Sequence, residues 1–228
     1  MSALFPADLR YALFDFDGVI ADTEPLYMEL DRKALAHFGY EASRSDLRSF
    51  IGHPSEEMGP KLLAEHGIHI TTDDFLAVWD GGTGIYGSPD LEPSPGLREL
   101  WELLRERGVR VGVVSSTCCA SLVRALNHFQ MLGHVDVLVG RDFVTRRKPD
   151  PEPYLHALEW LAPGEATDAA AHAIAFEDSA AGLASARAAG IYAIGYQGAT
   201  ETVDSPGADE VILSFAEMTE RLGRGLAR

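Results

Sequence analysis

The sequence predicts a doubly wound, mostly parallel α/β sheet carrying a small inserted α-helical domain, and three observations lead there. Apolar runs at Tyr11–Phe14, Val109–Val114 and Ala173–Phe176 each break into hydroxyl or carboxylate residues, as buried strands do when they deliver polar side chains to their carboxyl ends. Helical patterns alternate with the later runs, which is the signature of a layered α/β core. Between about Asp22 and Leu91 helical patterns continue without a convincing apolar strand, an interval too long for an ordinary crossover.

The first strand, Tyr11-Ala12-Leu13-Phe14, runs into Asp15-Phe16-Asp17-Gly18. Residues 22–92 read as the helical insertion and residues 1–21 with 93–228 as the α/β core. The turning points are Ala21–Glu24 and Ser88–Ser94, the second marked by Pro89 and Pro93 and followed by Pro95. From Pro95 to Arg107, Leu97, Leu100, Trp101 and Leu104 share one helical face, and Gly108 stops the helix. The second strand leads into Ser115-Ser116-Thr117 and the third into Glu177-Asp178-Ser179. An Ala-rich helix from Ala180 to Ala189 ends at Gly190. Ile191–Gly195 and Val211–Leu213 then read as further strands, and Phe215–Leu222 as a last helix. The expected core is Rossmann-like, with ligands bound beyond the carboxyl ends of its strands.

With 46% hydrophobic residues, the 228-residue chain can bury a full-sized core. Its formal charge of -16 repels nucleic acid and anionic membrane surfaces, so a small diffusible ligand is expected and neither of those partners. An anionic ligand then needs a divalent cation and a few placed cations or N–H groups to reverse the field. Met1–Arg10 lacks the pattern of a secretory signal, and no segment is apolar and long enough to span a bilayer. Adjacent Cys118 and Cys119 cannot staple distant parts of a fold. A cytoplasmic protein is the resulting expectation, and a monomer suffices for a core with one insertion.

Asp15 and Asp17 place two carboxylates on a tight loop at the mouth of the sheet, which suits phosphoryl transfer. In such a reaction Asp15 would attack phosphorus, and Asp17 would protonate the leaving oxygen and then help water hydrolyse the aspartyl phosphate. Mg²⁺ takes hard oxygen ligands. Asp15, Asp178 and a backbone oxygen of Asp17 supply such a set, with Glu177 a further ligand or a support behind it. At the second strand end Ser115 offers a hydroxyl for a phosphoryl oxygen, with Ser116 or Thr117 as alternatives. Lys148, stiffened by Pro149-Asp150-Pro151, brings the balancing positive charge.

Four segments, Asp15-Phe16-Asp17-Gly18-Val19-Ile20-Ala21-Asp22-Thr23-Glu24, Ser115, Lys148-Pro149-Asp150-Pro151 and Phe176-Glu177-Asp178-Ser179-Ala180-Ala181-Gly182, resemble in order the motifs of the haloacid dehalogenase superfamily. The likeness is closest to the subgroup containing phosphoglycolate phosphatase and β-phosphoglucomutase, where a helical cap follows the first strand. The resemblance implies Asp15 as nucleophile, Asp17 as general acid and base, Ser115 and Lys148 as phosphate ligands, and Asp178 as metal ligand. It also implies a cap that closes over the site and sets substrate choice, with Tyr27, Arg48, His53 and Glu56 as candidate contacts.

A magnesium-dependent phosphatase acting on a small phosphorylated substrate, a sugar phosphate or phosphorylated organic acid, is the expected function. The mutase of this superfamily carries a Lys-Gly-x-x-Arg segment where Ile51-Gly52-His53-Pro54-Ser55 stands here, and a His where Tyr27 stands; both departures weigh against mutase activity. A non-catalytic module that senses a phosphorylated metabolite is the reading from another class, and the intact Asp15, Asp17, Lys148 and Asp178 set argues against it. Gly82-Thr83-Gly84-Ile85-Tyr86-Gly87 matches a dinucleotide fingerprint in letters only. Lacking the flanking strand and helix, it reads as a loop, and His66 and His69 read as surface residues without a third metal ligand.

Overall fold

A computed structural model describes residues 5–51, 53–79, 84–198 and 207–224. Gly52 of the segment compared with the mutase, and Gly82-Thr83 of the glycine pattern, lie outside the described residues. The chain divides into two compact units, one formed by Met1–Asp22 with Glu92–Arg228 and the other by Thr23–Leu91.

The first unit is built on a sheet of strands β1 (Tyr11–Phe14), β2 (Arg110–Val114), β3 (Val137–Val139), β4 (Ala173–Glu177), β5 (Tyr192–Tyr196) and β6 (Glu210–Ile212). Their order is β3-β2-β1-β4-β5-β6, and every pairing is parallel. All of β4 and β5 and most of β1 and β2 are buried, because helices cover a parallel sheet on both faces; apolar runs rather than alternation follow from that. Phe14 is level with Val113 of β2 and Phe176 of β4, so Asp15 leaves the centre of the sheet beside the ends of two neighbouring strands. β3 is too short to stand out in the sequence. It is held in place by pairing, and Asp136 just before it accepts the Val111 N–H at 2.8 Å.

The second unit contains helices α1 (Glu24–His37), α2 (Arg44–Arg48), α3 (Ser55–Glu65) and α4 (Thr72–Val78). Ser43 and Thr71 each form a capping box with the Asp three residues later, which sets the starts of α2 and α4. Leu35, Leu63 and Phe75 lie at the centre of this unit's own apolar core. Ile85–Gly87 forms a single turn of 3₁₀-helix, so the described part of the glycine pattern serves neither a strand nor an α-helix N-terminus. His66 turns Nδ1 to the Leu62 carbonyl at 2.9 Å.

The α/β unit continues with α5 (Leu97–Glu106), α6 (Cys119–His128), α7 (Glu152–Leu161), α8 (Ala166–Ala170), α9 (Ala180–Ala188) and α10 (Phe215–Arg224). Leu97, Leu100, Trp101 and Leu104 are the buried stripe of α5, and Gly108 (φ 71°) turns the chain out of it. Strand ends differ from the hydropathy pattern by a residue where pairing decides them. β6 stops at Ile212, the partner of Tyr196, and leaves Leu213 62% exposed. Ser94 donates through N to the Ile20 carbonyl (2.8 Å) and through Oγ to the Val19 carbonyl (2.7 Å), while Ala21 bridges Pro93.

Within the helical unit Asp31 is an unusual core residue, only 2% exposed, with Oδ1 lacking a hydrogen-bond partner. Burial pushes its carboxyl up to about 6 from 3.8, Ser55 and Trp79 acting weakly the other way. The folded chain therefore holds this proton more tightly than the unfolded one, so stability falls as pH rises from about 4 to about 6 and stays lower above. Asp31→Asn is expected to raise stability at pH 7.5 by about 1–2 kcal/mol, allowing for partial water access. Thermal melts from pH 4 to 8 should show that gain vanish near pH 4; a constant gain would mean that ionisation is not its source.

Candidate active site

The loop after β1 is anchored from below. Phe16, Val19 and Ile20 are fully buried, and the Phe16 carbonyl accepts from the N–H groups of Val19, Ile20 and Ala21 at 3.3, 2.9 and 3.1 Å. Gly18 adopts φ 77°, and a Cβ there would strike the Asp178 carboxylate. Glycine is thus required twice, by backbone conformation and by the approach of an acidic side chain from the next strand end.

Asp15 is 8% exposed, and its Oδ1 accepts from Lys148 Nζ at 2.9 Å. The same ammonium donates to the Val114 carbonyl at 2.8 Å and to Glu177 Oε1 at 2.5 Å. Glu177 is completely buried and also accepts from Tyr154 Oη at 2.6 Å, while a Cβ on Gly182 would overlap its carboxylate. Asp17 turns the other way, taking hydrogen bonds through Oδ2 from Thr117 Oγ1 at 2.9 Å and, at the limit of 3.5 Å, from Ser115 Oγ. Ser115 is buried, and its Oγ accepts the Thr117 N–H at 3.0 Å. Ser116 is exposed on the same turn.

Asp15, Lys148, Glu177 and Asp178 therefore meet, and the Ser115–Thr117 turn closes on Asp17. Thr117, left open in the sequence as an alternative hydroxyl, makes the shorter bond to that carboxylate. Nothing in the sequence marks Tyr154, because it shares the buried stripe of α7 with Ala157, Leu158 and Leu161 and reads as core. Of the cap candidates, Arg48 and His53 are exposed and Glu56 is half-buried. Tyr27 sets its hydroxyl 3.0 Å from that of Tyr86 and stacks on Trp79.

Asp15, Glu177 and Asp178 crowd together, and the ammonium of Lys148 pairs with the first two. Burial works against that ammonium, but Asp15 and Glu177 more than offset it and raise its pKa, so Lys148 stays charged. Burial and then the charge of Asp15 drive Asp178 well above the ordinary carboxylate range. Burial also raises Glu177, with Lys148 pulling back. Asp15, Glu177 and Asp178 each offer a carboxylate oxygen within 4.8 Å of the others. This crowded set of hard oxygens fits a divalent cation, which would offset the repulsion that otherwise favours protonation.

Fold and site together place the chain among α/β enzymes that work at the carboxyl ends of a parallel sheet. Residues 12–196 match the family model of haloacid dehalogenase-like hydrolases, and the chain belongs to that family. It is 32% identical over 184 residues to a phosphorylated carbohydrates phosphatase of Thermotoga maritima, covering 80% of this chain and 82% of that one. It is also 31% identical to a validoxylamine A 7'-phosphate phosphatase of Streptomyces hygroscopicus subsp. limoneus, over 92% of this chain and 95% of the other. Among solved structures, CbbY from Rhodobacter sphaeroides in complex with phosphate superposes with a TM-score of 0.72 at 25% identity, covering 92% of this chain and 96% of that one. Among the described residues no helix is long and apolar enough to cross a membrane.

Proposed function

We propose that the chain hydrolyses small phosphate monoesters of the sugar phosphate or phosphorylated organic acid kind. The observation that carries this reading is the convergence of Asp15 and Asp178, from the ends of β1 and β4, with Lys148 from the segment before α7, beside an Asp17 held by hydroxyls. Asp15 Oδ attacks phosphorus as the ester P–O bond breaks, and Asp17 hands its proton to the departing alkoxide. A water then gives a proton to the Asp17 carboxylate and attacks phosphorus, the Asp15–phosphorus bond breaks, and inorganic phosphate leaves with both aspartates restored. Lys148 and the Ser115 hydroxyl bind the phosphoryl oxygens.

The metal proposed is magnesium, held by Asp15, Asp178 and the Asp17 carbonyl; it supplies charge neutralisation at the phosphoryl oxygens. Glu177, engaged by Lys148 and Tyr154, is assigned to support Lys148 rather than to bind metal directly. The helical unit is proposed to set substrate choice, and a monomer contains every residue named. The sugar-directed names of the relatives support a polyhydroxylated leaving group.

Phosphate release from a panel of monoesters, with and without chelator, tests this reading. Metal-independent turnover, or none on any ester, would sink it. Asp17→Asn is expected to slow sugar phosphate hydrolysis by roughly 10²–10⁴-fold. On p-nitrophenyl phosphate the loss in ester cleavage should be much smaller, since p-nitrophenolate leaves without a proton; single-turnover release of the phenolate separates that step. Equal losses on both esters would remove Asp17 as the acid.

A further inference from the structure

Lys148 has three N–H donors, and all are committed: to Asp15 Oδ1, to the Val114 carbonyl and to Glu177 Oε1. A phosphoryl oxygen can be bound only if one of these is given up. Val114 O belongs to the rigid end of β2. The exchange therefore lies between Asp15 and Glu177.

Tyr154 decides which bond is surrendered. It is fully buried, lies with its ring centroid 5.3 Å from Lys148 Nζ, and directs its hydroxyl onto the very oxygen of Glu177 that holds the ammonium. Glu177 has few other donors: Ser179 Oγ approaches its second oxygen at 3.3 Å. Without the phenol, Oε1 would be satisfied by Lys148 alone and would draw the ammonium toward itself, away from any ligand. With it, the carboxylate is partly satisfied and the ammonium is free to lean toward a phosphoryl group.

We propose that Tyr154 is a positioning residue, whose hydroxyl on Glu177 loosens that carboxylate's hold on Lys148 and so leaves the ammonium available to the phosphoryl group. The inference rests on the phosphatase reading for its catalytic meaning, but its test does not need turnover. Tyr154→Phe removes one O–H and keeps the ring. In calorimetric titration with inorganic phosphate in the presence of magnesium, the Kd is expected to rise by about tenfold, as the loss of a hydrogen bond to a charged group implies. KM for any hydrolysed ester should rise with it. Melting temperature should stay near that of wild type, and in a Glu177→Gln background the same change should have little further effect on phosphate affinity. Unchanged phosphate affinity, or equal effects in both backgrounds, overturns the proposal. If Tyr154→Phe does not fold, replacement by 3-fluorotyrosine keeps the volume and strengthens the donor. Phosphate should then bind more tightly, and unchanged or weaker binding would again overturn the role. Wild-type protein that binds phosphate but hydrolyses no ester removes the phosphatase reading alone.

Discussion

Asp15→Asn is expected to lower phosphate ester turnover by at least roughly a thousandfold, the scale seen when a nucleophile is removed from a cooperating catalytic group. The side chain keeps its shape, and its amide oxygen can still accept from Lys148 Nζ, which stands 2.9 Å from Oδ1 in the wild type. What is lost is the charge and the electron pair proposed to attack phosphorus. Removing that charge also relieves Asp178, which Asp15 repels. The variant should therefore melt no lower than the wild type while being inactive. Stopped turnover with preserved stability separates chemistry from folding; turnover within tenfold of wild type would exclude Asp15 as the nucleophile.

Lys148→Met carries the largest expected cost in stability. The lysine side chain is 6% exposed and Glu177 is fully buried, so the substitution leaves a buried carboxylate without its cation. Removing one partner of a buried ion pair costs about 3–5 kcal/mol, much of it the penalty of the stranded charge. A drop in the denaturant midpoint of corresponding size is expected, together with loss of activity. Pairing the change with Glu177→Gln removes the stranded charge and should restore much of the stability but none of the turnover. If Lys148→Met is as stable as wild type, the buried ion pair is not what holds this part of the core together.

Much of this was legible in the sequence, and for definite reasons. The order of strand, polar end and helix follows from burial on both faces of a parallel sheet, so Tyr11–Phe14, Val109–Val114 and Ala173–Phe176 could be read almost to the residue. Asp15, Asp17 and Asp178 stood out because carboxylates rarely follow such runs without a task. Tyr154 did not, and Gly182 entered only as the last residue of the fourth motif, without a task of its own. An aromatic residue on a helix stripe and a glycine inside a helix carry the same letters whether they fill space or serve a carboxylate, and only the position of Glu177 shows their part. Strand β3 (Val137–Val139) escapes the sequence for a different reason: three residues hold too little pattern, and their place comes from pairing with β2. The choice between Ser116 and Thr117 rested on the turn itself, which exposes one hydroxyl and directs the other onto Asp17.

The bridge between Ala21 and Pro93, with Ser94 tied to the carbonyls of Val19 and Ile20, fastens the two ends of the helical excursion to each other inside the α/β unit. A loop whose mouth is already sewn shut charges the framework little for what it contains, since closure entropy grows only slowly with length. The excursion can accordingly be lengthened, shortened or exchanged while the alignment of the central strands, and hence the spacing of the carboxylates, is left alone. If that stretch sets substrate choice as proposed, new leaving groups would be sought by redesigning it alone, a modularity that follows from the stitching.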